Sequence, residues 1–430
     1  MGSITSFLID SEDTSLLNWG TGDPNATVFP AASNASCTAG LPCDVFGVDQ
    51  HLSTPYVANW NLNIQQALTP TMLLQIAYVA NHGIKLYSVT DINQNNPAND
   101  QGVLASIADG DYPPSADLTG RPLVTNCPVS QGGLGTGGPC FPYIGYLSYL
   151  SNHANSIYNS LQITLTKRYS HGLYLLAGYT YGHAIDTATS NLAGVPQNSL
   201  DYGAERGNGD YDIRHRFTLS ATYDLPSKKS RLQMLEGWQL TSIATLESGE
   251  PYTLYDGGDD ISLTGEFNDR WNIVGNPRNI HWSASTPIPY LLPGDPGFDA
   301  CAATATTQAL QDSLNYNGCY AQGGTLIVPP AFGTFGTMGR NIFRGPALGN
   351  WDFGLSKVWR VNERVKLQFR GEVFNLLNHP NFDLFSMSTN LYHPSSVGTV
   401  SYTPDLGTAS NPVLGSGGSR HIQLGAKIVW

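Results

Sequence analysis

The chain has 430 residues, and its 21 Lys and Arg against 33 Asp and Glu give a formal net charge of 21 − 33 = −12. Only 13% of the residues are charged, about half the usual 25% of soluble domains. The 46 Gly and 27 Pro residues argue against a helical protein. The 10% of aromatic residues argues against a disordered chain. No cluster of Lys and Arg is present to neutralise phosphates, which excludes a nucleic-acid partner.

Nine segments alternate apolar and polar residues, which is the pattern of a β-strand with two different faces. In chain order they cover about 56–68, 71–88, 161–166, 173–186, 212–225, 237–250, 351–356, 365–373 and 422–430. In the fifth segment, Phe217, Leu219, Ala221 and Tyr223 form the apolar face. Most segments approach the 9–11 residues or so that a membrane-spanning strand requires.

The connections between these segments alternate between two kinds. Short ones follow Leu68, Tyr169, Leu225 and Val361, whereas long ones rich in Gly, Asn and Pro cover about 89–156, 187–211, 251–350 and 378–419. Outer-membrane barrels show this asymmetry, with short periplasmic turns and long extracellular loops, and a soluble sandwich has no reason to sort its loops. The sequence therefore predicts an all-β, antiparallel up-and-down transmembrane barrel.

The six cysteines fall into three local pairs within Gly-, Pro- and Asn-rich connections. Their spacing does not match a zinc site. We expect three disulfides, all on the side of the long loops: Cys37–Cys43, Cys127–Cys140 and Cys301–Cys319. Such bonds imply an oxidising compartment, and six unpaired thiols are the alternative.

Charged residues recur on the polar faces of two predicted strands: Asp212, Arg214 and Arg216 on one, Arg364, Lys366, Arg370 and Glu372 on the other. In a barrel they face the lumen, because a charge facing lipid at mid-membrane costs about 2–4 kcal/mol. They form either a ladder of opposite charges between strands or a wall that contacts a plug or a solute. Lys357, in phase with apolar residues, is expected to reach the interface beside Trp359.

We expect neither enzymatic activity nor a cofactor. The sequence has no HExxH, GxSxG or P-loop motif. The GxGxxG match at 133–138 is followed by Pro139 rather than a helix, and His379 has no partner at helical spacing. The acidic stretch 256–260 could offer oxygen ligands to calcium, but its spacing misses the EF-hand pattern and a solvated turn is favoured.

The carboxyl-terminal strand ends on an aromatic residue in phase with its apolar face. That face contains Ile422, Leu424, Ala426, Ile428 and Trp430, whereas His421, Gln423 and Lys427 lie on the other. A terminal aromatic on an amphipathic last strand resembles the signal read by the bacterial barrel-assembly machinery. We therefore assign these residues to membrane assembly.

Several segments together resemble the barrel of Oar-like TonB-dependent receptors, which are abundant in acidobacteria. They are, in order, TPYVANWNLNIQQ from Thr54, IAYVANHG from Ile76, NSLQITLTKR from Asn159, DIRHRF from Asp212, GWQL from Gly237, SGEPY from Ser248, NWDFGLSK from Asn350 and EVFNLLNHPNF from Glu372. The resemblance covers about 54–430 and implies a 22-strand barrel, an amino-terminal plug and energised uptake of a nutrient solute.

The nine predicted strands are too few for that barrel, and a plug, a TonB box or a signal peptide is not recognised before residue 54. The chain thus reads as a carboxyl-terminal barrel portion (54–430) after a loop or strand remnant (1–53), located in the outer membrane of a Gram-negative bacterium. The expected partners are membrane lipid, the assembly machinery, the missing plug and through it TonB, and a small solute, carbohydrate or peptide. A passive pore or structural surface protein, and a secreted soluble carbohydrate-binding β-protein, are the alternatives.

Overall fold

A computed structural model describes residues 43–111, 113–114, 119–128, 135, 140–141, 144–188, 196–258, 260–266, 268–382, 384, 387–401, 403 and 418–430. The strands are β1 (Cys43–Val48), β2 (Tyr56–Thr69), β3 (Met72–Asp91), β4 (Ile144–Ser170), β5 (Leu173–Asp186), β6 (Gly207–Asn208), β7 (His215–Asp224), β8 (Trp238–Glu247), β9 (Pro251–Tyr252), β10 (Asn272–Val274), β11 (Tyr290–Leu291), β12 (Cys319–Gln322), β13 (Thr325–Val328), β14 (Phe343–Arg344), β15 (Leu348–Arg360), β16 (Lys366–Phe374) and β17 (His421–Val429).

The helices are short and lie between the long strands. They are α1 (Gln101–Asp109), α2 (Pro122–Thr125), α3 (Phe298–Ala302) and α4 (Gln308–Asn317), together with 3-10 helices at Pro97–Asn99, Tyr202–Glu205, Arg231–Gln233 and Pro277–Asn279. Among the residues described, no helix has the length and hydropathy to cross a membrane.

The largest sheet has eleven strands, and nine of them form an antiparallel meander. Its order is β17-β16-β15-β8-β7-β5-β4-β3-β2, and these nine correspond to the nine predicted strands. The prediction of an all-β, antiparallel up-and-down sheet is confirmed. The parallel pairing of β1 with the start of β4 was not predicted, and neither was the pairing of β6 with β5.

Two strands begin at positions that differ from the sequence pattern. β4 has 27 residues and begins at Ile144, inside the connection predicted over 89–156. Its early residues form a strand because they pair with β1 and with the end of β3, and neither partner can be read from the local pattern. β7 begins at His215, so Asp212 and Arg214 precede the strand that was predicted to contain them.

Cross-strand pairing sorts the side chains of the meander onto two faces, because directly paired residues lie on the same face. One row of pairs is apolar and joins Leu74, Leu165, Ala177, Leu219, Ala244 and Trp351. The adjacent row is polar or small and joins Gln65, Gln75, Thr164, Gly178, Thr218, Thr245 and Asn350. The apolar row therefore crosses six strands and the polar row crosses seven.

The last strand continues the apolar face. Ile422, Leu424, Ala426 and Ile428 pair with Val373, Gly371, Phe369 and Leu367 of β16, and Phe369 in turn pairs with Lys357 on the apolar face of β15. Trp430 follows β17 at the end of the sheet where β16 begins. Its role in membrane assembly stays a prediction.

The connections alternate between the two ends of the sheet as the sequence predicts. At the short-turn end they cover 70–71, 171–172, 225–237 and 361–365; at the long-connection end they cover 92–143, 187–214, 248–347 and 375–420. In the 171–172 turn, His171 and Gly172 have φ of 52° and 77°, as a two-residue hairpin loop requires.

Two of the predicted disulfides, Cys127–Cys140 and Cys301–Cys319, are present in the structure. Both lie in long connections, Cys127–Cys140 within 92–143 and Cys301–Cys319 within 248–347. Cys37 lies outside the described residues, so the pair Cys37–Cys43 stays a prediction.

The main hydrophobic core lies in the long connections rather than in the meander. We call residues 248–347 and 387–401 the loop cap; it contains the sheet β10-β13-β12-β11 and the pair β14-β9. Its buried core comprises Tyr252, Leu254, Ile261, Trp271, Ile280, Ile288, Tyr320, Ile327, Met338, Phe343, Met387, Leu391, Val397 and Val400. The core joins two connections, since the Tyr320 hydroxyl donates to the Leu391 carbonyl.

Two lysines lie on the apolar face close to the short-turn end. Lys357, 2% exposed, has its ammonium 5.5 Å from the ring centre of Trp238 and 5.0 Å from that of Trp359, and it donates to the carbonyls of Gln233 and Glu236. Lys167 donates to the Ser170 carbonyl at 3.1 Å and its hydroxyl at 2.7 Å. Both ammonium groups are thus hydrogen-bonded at the short-turn end of the sheet, and Lys357 lies beside Trp359 as predicted.

We expect the apolar face of β7 to contact lipid hydrocarbon and the other face to contact water. A fluorophore attached to a cysteine at Leu219 or Ala221 should be quenched by brominated lipid in reconstituted membranes, whereas one at Thr218 or Ser220 should be quenched by aqueous iodide. Equal quenching by both agents at odd and even positions would contradict the two-faced strand.

Candidate functional site

The predicted lumen charges lie in three different settings. Arg216 of β7 forms an ion pair with Glu247 of β8, with Nε 2.9 Å from Oε1, which matches the ladder interpretation. Arg370 pairs with Glu372 at 2.8 Å within β16. Lys366 opens β16, and Arg364 lies in the preceding turn rather than on the strand.

Asp212 is the most enclosed of these groups, with 1% of the residue exposed. Oδ1 accepts from the Ala184 N–H at 2.7 Å, and Oδ2 accepts from Arg214 Nε at 2.7 Å and Arg344 Nη2 at 2.5 Å. Burial by itself would raise the pKa of Asp212, but these hydrogen bonds hold it below the ordinary value. Asp212 therefore joins β5, the start of β7 and the loop cap as a carboxylate.

A second charged network, which the sequence did not reveal, lies beside the first. Arg340 Nε donates to the Glu205 carbonyl at 3.0 Å, and its guanidinium also pairs with Asp186 and Asp210. Arg270 pairs with both carboxylate oxygens of Glu205, each at 2.8 Å. The partners are 65 to 154 residues apart in the chain, so local spacing carries no signal for them.

Glu205, Asp210, Arg270 and Arg340 of the second network line a cavity of about 440 Å³ at the long-connection end. Its wall comes from the end of β3 and from three long connections. The lining residues are Val89, Thr187, Ala188, Pro196, Tyr202, Glu205, Asp210, Tyr211, Glu250, Pro251, Tyr252, Thr253, Tyr255, Asn268, Arg270, Arg340, Asn341, Leu384 and Thr389. The volume lies within the range of about 300–1,000 Å³ that small-molecule sites occupy.

Four tyrosines line this cavity, and two of them offer exposed rings. Tyr211 and Tyr255 are 74% and 37% exposed. Tyr252 is buried against Phe343, with the ring centres 5.5 Å apart, and its hydroxyl has no hydrogen-bond partner within the described structure. The cavity thus combines exposed aromatic surface with a buried tyrosine whose hydroxyl is unpaired in the described structure.

The acidic stretch considered for calcium serves as a set of turn acceptors. Asp260 accepts from the N–H groups of Thr264 at 3.0 Å and Gly265 at 2.7 Å. Asp256 accepts from the Gly258 N–H and from Trp271 Nε1, both at 3.1 Å; Asp259 lies outside the described residues. The expectation of a solvated turn is wrong for Asp256, which is 1% exposed because it bonds to the core residue Trp271. The described residues contain no cluster of His, Cys, Asp or Glu arranged to hold a metal ion.

Near this turn the loop cap also buries Glu266 and Asp269. Burial is the main cause that raises the pKa of each carboxyl to about 8. Asp269 accepts from the Ser262 N–H at 2.7 Å. At neutral pH these two groups are protonated for the most part, which lowers the cost of enclosing so many acidic residues in the cap.

We expect Asp212→Asn to lower the free energy of unfolding by about 3 kcal/mol, because the change leaves Arg214 and Arg344 beside an uncharged group. The measurement is thermal and urea unfolding in detergent, with Glu372→Gln as the control; the exposed pair of Glu372 with Arg370 should be worth less than about 1 kcal/mol.

The pH dependence of this difference follows from the lowered pKa of Asp212. The stabilisation is present above the unfolded pKa of about 3.9 and is lost as the pH falls through the folded value. The gap between wild type and Asp212→Asn should therefore be constant near neutrality and narrow as the pH falls below about 4. A gap that is as wide in acid as at neutral pH would contradict the role of the carboxylate charge.

Residues 5–423 match the family described as "Outer membrane beta barrel domain", and no curated protein matches the sequence. Similar solved structures include the outer membrane transporter YddB from Escherichia coli, at 8% identity, TM-score 0.38, and coverage of 91% of this chain and 36% of that one. The ferric preacinetobactin receptor BauA from Acinetobacter baumannii is similar at 8% identity and TM-score 0.35, with coverage of 86% of this chain and 29% of that one. The ferric-catecholate import receptor Fiu from K12 E. coli is similar at 11% identity and TM-score 0.31, with coverage of 94% of this chain and 30% of that one.

The chain therefore spans about a third of the length of these solved structures. The family match covers nearly the whole sequence. Together with the two-faced meander, it shows that the chain belongs to the outer membrane beta barrel domain family and resides in the outer membrane.

Proposed function

We propose that this chain is the carboxyl-terminal barrel portion of a TonB-dependent outer-membrane receptor that takes up a nutrient solute. The observation that carries the proposal is that a sheet with one apolar and one polar face has a solute-sized cavity at its long-connection end. The family match supports the barrel, and the Oar-like segments support the receptor type.

The two edge strands indicate that further strands complete the wall. Among the described residues, β2 pairs only with β3 and β17 pairs only with β16. Backbone N–H and C=O groups left unpaired in hydrocarbon cost several kcal/mol each. Strands other than the described ones would complete the wall, and such a receptor also needs a plug.

The polar face is suited to a lumen that contains water and a plug. Its Gln and Thr rows and the Arg216–Glu247 pair would be costly against lipid. The side chains of this face can bond to each other, to water or to a plug. The receptor acts without covalent chemistry in this proposal, since recognition needs only the cavity and gating needs only movement of the plug.

The location of the chain in the outer membrane argues against a secreted soluble protein. An experiment can distinguish a passive pore from a TonB-dependent receptor. We would compare three strains of the producing bacterium: wild type, one that lacks the gene for this chain, and one that lacks tonB. Each strain grows in a mixture of saccharides and peptides, and mass spectrometry measures which solutes disappear from the medium.

The proposal predicts that the same solute remains in the medium of both mutant strains and that restoring the gene restores its depletion. A passive pore predicts that only loss of the chain slows depletion. If loss of the chain changes the depletion of no solute, the proposed receptor function is wrong.

A further inference from the structure

We propose that the 440 Å³ cavity binds a neutral, polyhydroxylated ligand, a short saccharide by chemical class. The inference deepens the proposed function, because it names the class of solute that the receptor would recognise. It depends on three features of the cavity: cations that are already neutralised, a buried hydroxyl without a partner, and exposed tyrosine rings.

The cavity cannot readily offer its arginines to an anion. Arg270 uses Nη1 and Nη2 for Glu205 and Nε for the Met338 carbonyl at 2.9 Å. Arg340 uses its guanidinium for Asp186, Asp210 and the Glu205 carbonyl. A carboxylate or phosphate would have to displace these buried partners and leave them without a counter-charge, which is strongly unfavourable.

The formal charge of the lining points the same way. Arg270 and Arg340 stand against Glu205, Asp210 and Glu250, which gives 2 − 3 = −1. An anionic ligand would be repelled, and a site built for one would keep an uncommitted guanidinium. The lining therefore favours an uncharged ligand, with a cation as the competing class.

Tyr252 supplies the polar contact that a hydroxyl-rich ligand needs. It is 4% exposed, lines the cavity, and its hydroxyl lacks a hydrogen-bond partner in the described structure. A buried hydroxyl left unpaired destabilises a protein by about 1–3 kcal/mol. A ligand hydroxyl can both donate to and accept from it, so binding would recover that cost.

The exposed tyrosines provide the surface on which a sugar ring can pack. The rings of Tyr211 and Tyr255 combine an apolar face with a polar edge, and sugars present apolar C–H faces together with hydroxyl edges. Tyr211 follows the 3-10 helix at Tyr202–Glu205, whereas Tyr255 belongs to the loop cap. Two connections would therefore contribute to one ligand site, with Tyr252 at its buried wall.

The test is isothermal titration calorimetry on the complete receptor that contains this chain, purified from outer membranes in detergent micelles. The probes are four neutral trisaccharides (maltotriose, cellotriose, xylotriose and mannotriose), with trigalacturonate as the anion and trilysine as the cation. At least one neutral trisaccharide should bind, and Tyr252→Phe should weaken that binding about two- to tenfold, the loss of one hydrogen bond.

Tyr252→Phe removes only an oxygen that has no partner, so the fold should persist, and a melting curve checks this. Tyr211→Ala should also weaken the binding. The matched control is Tyr316→Phe, because Tyr316 is exposed, packs edge-on against Phe332 with ring centres 6.0 Å apart, and does not line the cavity. Tyr316→Phe should leave the affinity unchanged.

The inference is overturned if none of the neutral trisaccharides binds, if trigalacturonate or trilysine binds more tightly than all of them, or if Tyr316→Phe matches Tyr252→Phe. The assay contains no TonB, so it is separate from the uptake experiment. Binding without TonB-dependent uptake would contradict the receptor function alone. TonB-dependent uptake of a solute that is not a saccharide would contradict this inference alone.

Discussion

The structure depends on one constraint: a strand in hydrocarbon can satisfy its backbone N–H and C=O groups only through neighbouring strands. The nine-strand meander obeys it, since each strand between the two edges is hydrogen-bonded on both sides. The pairing also fixes which residues share a face, because a shift by one residue would turn every apolar side chain toward the lumen. The apolar row across six strands and the polar row across seven are the consequence of this register.

The same constraint explains where the hydrophobic core lies. A sheet whose apolar face meets lipid needs no protein layer over that face, whereas the long connections in water must bury apolar side chains of their own. They do so around Trp271, Tyr320 and Leu391. The charged networks of Asp212 and Arg340 then hold the loop cap to the ends of β5 and β7. The cavity lies at this end of the sheet, lined by Val89 of β3 and by residues of three long connections.

The sequence predicted the parts of this fold that local patterns encode. Each strand carries its own alternation, and the lengths of the connections alternate, so the nine strands and their two ends could be inferred without a structure. Cys127–Cys140 and Cys301–Cys319 could be inferred because the partners are close in the chain. Features that depend on distant partners could not be inferred from the sequence. The early part of β4 forms a strand by pairing with β1, and Asp212 bonds to Arg344, 132 residues away in the chain. The cavity belongs to this second group, since its tyrosines come from separate connections.

The central claim is that this chain forms part of a closed membrane wall. Amide hydrogen exchange in native outer membranes tests this claim most directly. Mass spectrometry would follow peptides from the edge strands β2 and β17 and from the interior strands β4 and β5. If further strands close the wall, the edge strands should be protected to the same degree as the interior ones, because all their N–H groups are then hydrogen-bonded. Rapid exchange of β2 and β17 in the native membrane, with β4 and β5 protected, would contradict the account.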